Sequence, residues 1–443
     1  MEGFEGSRPQ WQKWTLPIGM HGDAVPTLGC GKVWAKLLQG YSWTCLLSRG
    51  TTKQRSFFLW GIFEQILKNG SGGTLDVFFA ILAWSFTALY RGKFPDCDWQ
   101  GNKYAAGSVE QQKAGQWLAG GFCGALISVQ GDLDFFAASL QLPRWNLKAG
   151  GCSVCKAAQE GLGTWKKFSC PQHILDLEWK PAQWKLWDKK SKCFLFSIPN
   201  LSACNIMLDY LHCKYLGSDQ YQYGGLLYYM TYFLLPEAAW SNLQCIWSKI
   251  KFYYKELKVK HQYHYFNRLT MYVRKTGPPK LRGRGAEVLG LGKVLLHIWR
   301  DLHNPSIEIH RMLLVMLKAN NNMEEILDEH RYEAALPALA AQRFVDNAFR
   351  MAHLQHLIYC HFNDEPLLRG SFAITIKLHM VLHIALHSHE ISPRLTWNFT
   401  GEDSMGILKT LGQNCSKGVQ PQDVCTKMLS HWRYAMHQEL TKI

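Results

Sequence analysis

The apolar pattern changes rhythm three times along this chain. Up to Leu140, apolar residues come in short, β-forming runs. Leu16–Gly22 predicts a strand ending on Asp23, Tyr41–Leu47 a second, and Ser56–Ile66 a third whose end turns helical. Gly70-Ser71-Gly72-Gly73 breaks the chain. Leu75–Tyr90 (LDVFFAILAWSFTALY) then reads as a helix, Ser108–Gly120 as another, and Phe122–Gly131 as a strand ending on Asp132. From Gly150 to Lys192, Gly, Cys, Trp and Lys dominate and the apolar period weakens. From Leu216 to about Gln355 the pattern is mostly helical, with Pro278-Pro279 separating two blocks. Thr375–Leu386 (TIKLHMVLHIAL) predicts a strongly apolar helix, Met405–Leu411 an amphipathic stretch, and Pro421–Leu440 a last helix.

Three strands, a helix and a fourth strand open an RNase H-like fold, which sets the expected class as α/β with a mixed sheet and flanking helices. In that fold the first and fourth strands are neighbours, about 4.8 Å apart. Asp23 and Asp132 would then share a metal. Glu402, in Thr400-Gly401-Glu402-Asp403 at the start of a helix, is the third acid. Carboxylates so placed suggest a two-metal phosphodiester site, with ions roughly 4 Å apart. Asp134 lies two residues after Asp132 on the same face of an extended chain, so it stands in reserve. Asp403 competes with Glu402. The expected division is a core over 14–150, a small Cys/His insertion over 151–192, and a core continuation over 193–225. A basic helical insertion over 226–370, the core end over 371–415 and a C-terminal helix over 416–443 complete it.

Composition agrees with a large core: 47% of residues are hydrophobic and 18 are Trp. The net charge of +15 favours a polyanionic partner such as DNA. The start, Met1 to Gln10, is polar and carries no export signal. The longest apolar run, Leu75–Tyr90, falls short of the roughly 20 residues of a bilayer span, so no membrane partner is expected. The 14 cysteines are scattered, which favours free thiols and metal ligation over disulfides.

Cys152-x-x-Cys155 and Cys170-x-x-His173 are two close pairs of N/S ligands, the set tetrahedral Zn²⁺ prefers. A structural zinc on these four is expected. Asp209-Tyr210-Leu211-His212 puts an acid and an imidazole on one helical face. There His212 would position a leaving strand or shuttle a proton, with Asp209 as cap or alternate acid. The segment Lys249–Lys293 carries twelve Lys or Arg against Glu256 and Glu287. Its expected DNA contacts are Lys249, Lys251, Lys255, Lys258, Lys260, Arg268, Arg274, Lys275, Lys280, Arg282 and Arg284. The interleaved aromatics (Phe252, Tyr253, Tyr254, Tyr263, Tyr265, Phe266, Tyr272) would stack on unpaired bases. His379, His383 and His387 share a helix face. No Glu follows the first His as in a metalloprotease helix, so a structural stripe is expected there.

In order, these motifs resemble a DDE transposase of the Plavaka and KDZ group, related to the hAT type, from about Leu16 to Leu411. The resemblance rests on Gly22-Asp23, on Gly131-Asp132 followed by Cys152 and Cys155, and on Asp209 to His212. It ends with Lys377, His379 and His383 leading to Glu402. It also extends to protist open reading frames that share the phrases HGD, LHCKYLGSDQ and WNFTGED. The resemblance implies Mg²⁺ or Mn²⁺ on Asp23, Asp132 and Glu402 for DNA hydrolysis and strand transfer. It also makes the nucleus the expected location and allows for a homo-oligomer. The alternative is an inactive or domesticated remnant that binds DNA without cutting it.

Overall fold

The computed structural model describes residues 10–27, 36–145, 147, 151–186 and 191–441. Most of the polar start and part of the Trp/Lys-rich stretch at 187–190 lie outside the described residues. Four strands form one mixed sheet: β1 (Thr15–Pro26), β2 (Leu37–Cys45), β3 (Phe57–Phe63) and β4 (Cys123–Gly131), in the order β3-β2-β1-β4. β1 pairs antiparallel with β2, and β2 with β3, while β4 runs parallel to β1. The crossover from β3 to β4 carries helix α1 (Thr74–Arg91), and β4 runs into α2 (Leu133–Ala138).

Alternation along β1 sends Ile18 and Met20 to one face, where they pack with Tyr41, Phe79 and Phe135. The opposite face is covered by α9 (Phe399–Cys415) and α10 (Val424–Leu440). There Leu38, Phe58 and Phe63 pack with Met405, Leu408, Met428 and Trp432. The C-terminal helix is therefore one layer of the sheet's own sandwich. The first apolar cluster continues past α1 through Cys152, Cys155 and Trp184 into the helical half, to Leu226, Leu295, Leu317 and Leu382.

The helical half begins with one rod. Leu211–Ser218 and Met230–Leu234 are π-helical, flanking α3 (Asp219–Tyr229). It continues through α4 (Ala239–Glu256), α5 (Gly285–Leu302), α6 (Glu308–Glu329), α7 (Ala338–Asn363) and α8 (Ile376–Leu386). Lys214, wholly buried, holds this half together. Its Nζ meets Asp219 at 2.8 Å, Glu324 at 2.9 Å and Asn320 at 2.7 Å. None of these four residues stood out in the sequence.

Two expectations change. Ser108–Gly120 is not one helix: Val109–Lys113 is helical, and Ala119–Gly121 is a separate 3₁₀ turn. Its many Gly and Gln residues offer no apolar stripe to bury. Asp23 does not end β1, which runs on to Pro26 because β2 continues to pair with it, Asp23 opposite Gly40. No helix among the described residues is long and apolar enough to cross a membrane.

Candidate functional site

The parallel register of β1 and β4 ends at Gly22 opposite Gly131. The next residue in each segment is an acid, so Asp23, still paired to β2, and Asp132, just past the end of β4, stand side by side. Both glycines lie under the Phe135 ring. A Cβ at Gly22 would approach it to 2.3 Å and one at Gly131 to 2.2 Å, which explains the Gly-Asp pair on both strands. Asp132 also caps α2, its Oδ1 accepting from Phe135 N at 2.6 Å. Beyond β4, Ile206 makes one parallel bridge to Val129, and the chain then turns at Asp209 into the helical rod.

Asp209 is nearly buried and fully engaged. Its Oδ1 accepts from Leu211 N at 2.8 Å and Asn398 N at 2.9 Å, and its Oδ2 is bonded to His212 Nδ1. The other ring nitrogen of His212 lies 3.9 Å from Glu402 Oε1, in the first turn of α9. Thus one carboxylate orients the imidazole and anchors the loop that delivers Glu402.

The charges of this group act on one another. Burial, then Asp132, push the Asp23 carboxyl up to about 7. Burial also raises Asp132 and Glu402, while His212 pulls both down. For His212, burial disfavours the imidazolium, but the Asp209 bond and the charges of Asp132 and Glu402 outweigh it, and its pKa rises.

The alternates fall elsewhere. Asp134 is exposed, 3.8 Å from Arg144. Asp403 lines a pocket beside Thr400 and Gly401, while Glu402 is the acid facing His212. The carboxylates do not form a tight single-ion cage. Among the described residues, the one group of three or more potential ligands with all atoms within 4.8 Å of one another lacks them. Two ions about 4 Å apart would spread their ligands more widely than that.

That group is Cys152, Cys155, His379 and His383, all buried. It corrects the expected zinc set. Cys170 opens the short helix Pro171–Leu177, and His173 Nε2 is bonded to Thr164 O at 2.9 Å. The cause is a fold-back: Lys156 N bonds Leu177 O and Trp179 N bonds Val154 O. Glu178, rather than the 170–173 pair, thereby reaches the Cys152–Cys155 turn, and α8 supplies the other two ligands. His379 Nε2 lies 3.3 Å from Cys155 Sγ and 3.0 Å from His383 Nε2. His383 Nδ1 is held by Glu178 at 2.7 Å, which leaves Nε2 aimed at the centre. A carboxylate behind a ligating imidazole is the usual outer support of a zinc site.

The thiols split: burial disfavours both thiolates, yet bonds from Cys155, His379 and His383 bring Cys152 down, while Cys155 goes up. Four buried N/S donors fit a structural zinc. The His379–His383 pair was therefore no mere structural stripe. Its signal in the sequence was the i, i+4 spacing together with a Cys-x-x-Cys that needs two more ligands. His387, the third of that stripe, bonds Glu178 at 2.8 Å.

In the basic segment, all the expected cations are exposed except Lys249 and Lys280, which are half-buried. Lys249 lies 3.9 Å from Asp301 and Lys280 sits over the Tyr221 ring. The aromatics change meaning. Tyr254, Tyr263, Phe266 and Tyr272 are core, Tyr253 is half-buried, and only Phe252 and Tyr265 are exposed. No protein-family model matches the chain, and no curated protein shows significant similarity to it.

Proposed function

We propose that this chain is a DNA phosphodiester-cleaving and strand-transferring protein of the DDE transposase type, built on an RNase H-like core. One observation carries the reading: Asp23 and Asp132 follow the last paired residues of two adjacent parallel strands. A helix from the far end of the chain brings Glu402 to His212, where its charge acts on Asp23. Strand order and directions agree with an RNase H-like opening, and the Val129–Ile206 bridge stands where a fifth strand would add.

Asp23, Asp132 and Glu402 would hold Mg²⁺ or Mn²⁺. Ions bound there would activate the attacking water or 3′-hydroxyl and stabilise the leaving oxygen. His212, held by Asp209, would move a proton at its Nε2 or position the leaving strand. Zinc on Cys152, Cys155, His379 and His383 would be structural, because protein fills every ligand position. A nuclear location belongs with this reading.

The test is Mg²⁺-dependent cleavage of labelled DNA by wild type, Asp23→Asn and Glu402→Gln. Activity in the wild type that both variants lose supports the assignment; cleavage that persists in both overturns it. A second reading, a DNA-binding remnant without chemistry, draws on the exposed basic segment. It predicts salt-sensitive DNA binding with no nicking.

A further inference from the structure

Beside the acid site lies a pocket of about 590 Å³, within the range of small-molecule sites. Five segments build it: β1 near His21, β2 with the connection after it, Gln130 on β4, the loop after α6, and the stretch leading into α9. Backbone bonds from Ser392 to Ala334 and from Leu336 to Ser388 tie two of these walls together.

Its lining is cationic and aromatic. Arg49, Arg55, Arg331 and Arg394 face it, against Glu333 and Asp403. Arg331 is held by Asp328 at 2.8 Å. Arg394 stacks over Trp397, 4.2 Å from the ring centroid, and Trp397 meets Phe399 edge-on at 5.2 Å. One buried donor lacks the partner its burial demands: Arg55 Nε is enclosed without an acceptor. Such a donor is costly unless a ligand satisfies it. His21, a residue 7% exposed, has the Asn398 side chain as its neighbour. His21 also stands two residues before Asp23, on the same face of β1. The pocket and the carboxylates are thus adjoining parts of one surface.

We propose that this pocket receives an unpaired nucleotide of the DNA strand flanking the cleaved bond. Guanidinium groups suit the phosphate, and the Trp397–Arg394 stack offers a platform for a base. His21 lines the same pocket from β1. This inference rests on the phosphodiesterase reading for its substrate, but its test does not require cleavage.

The experiment measures binding of the full chain to a blunt DNA duplex and to the same duplex with a short single-stranded overhang, without added Mg²⁺. Wild type is expected to prefer the overhang. Arg55→Gln and Trp397→Ala, checked by thermal melting, should lose that preference, about tenfold in affinity, while blunt-duplex binding holds. Arg49→Gln, at an exposed position that carries little folding risk, should lower the salt slope for the overhang alone by about 1. Asp23→Asn should keep the preference, so a failure of the acid site and a failure of the pocket read out separately. Equal wild-type affinity for both duplexes, or variants that lose both alike, overturns the proposal.

Discussion

Asp209 Oδ1 accepts a hydrogen bond from Asn398 N at 2.9 Å across 189 residues of sequence. The same carboxylate holds His212 Nδ1. The helical rod and the loop before Glu402 are therefore tied together, and the distance from His212 to Glu402 depends on a residue that need not touch substrate.

Asp209→Asn tests that coupling. It removes the charge that raises His212, so the imidazole pKa, followed by NMR, should fall. The raised His212 contributes stability that is complete below its ordinary value of 6.5 and is lost as pH rises through the higher folded value. The variant should lack this pH-dependent component and lose about 1–3 kcal/mol in urea unfolding near pH 6.

Asp23 gives a pH signature of the same sign. Its carboxyl is raised from 3.8 to about 7, so the folded state holds the proton more tightly than the unfolded one. Its contribution is present in full below the ordinary value and disappears as pH climbs through about 7. Melting temperature should fall across that window in wild type, and less in Asp23→Asn. Added Mn²⁺ should raise it above pH 7 in wild type only, since a ligand bound to the folded state stabilises that state.

Metal content distinguishes the two cysteine–histidine pairings. Purified wild type should carry one zinc per chain. Cys155→Ser and His379→Ala should carry none, while Cys170→Ser and His173→Ala keep it. Structural zinc is worth roughly 10–16 kcal/mol in small zinc-dependent folds. Chelation should therefore release the 152–179 fold-back, seen as new proteolytic cleavage there.

Lys214→Met leaves Asp219 and Glu324 without the cation they share in a site where Lys214 is wholly buried. Removing one member of a buried ionic group costs about 3–5 kcal/mol. Denaturant unfolding should register that loss. A double variant, Lys214→Met with Asp219→Leu, should recover part of it if the penalty comes from stranded charge.

Local signals in the sequence determined the four strands, α1, α8 and the last helix. A period of two or an unbroken apolar run is a property of neighbouring residues. The same is true of the Gly-Asp steps and of Cys152-x-x-Cys155. The partnerships that make a site are not local, and there the tertiary structure decided. Cys152 and Cys155 had two nearby candidates in Cys170 and His173, yet the fold-back at Glu178 gave the ligand positions to His379 and His383. The basic stretch announced its charge but not its aromatics, because alternating exposure left Phe252 outside and Tyr254 inside. Lys214 carried no signal in the sequence, yet Asp219, Asn320 and Glu324 close around it. Burial and partner choice arise only when distant segments pack, and a linear pattern carries no record of which segments meet.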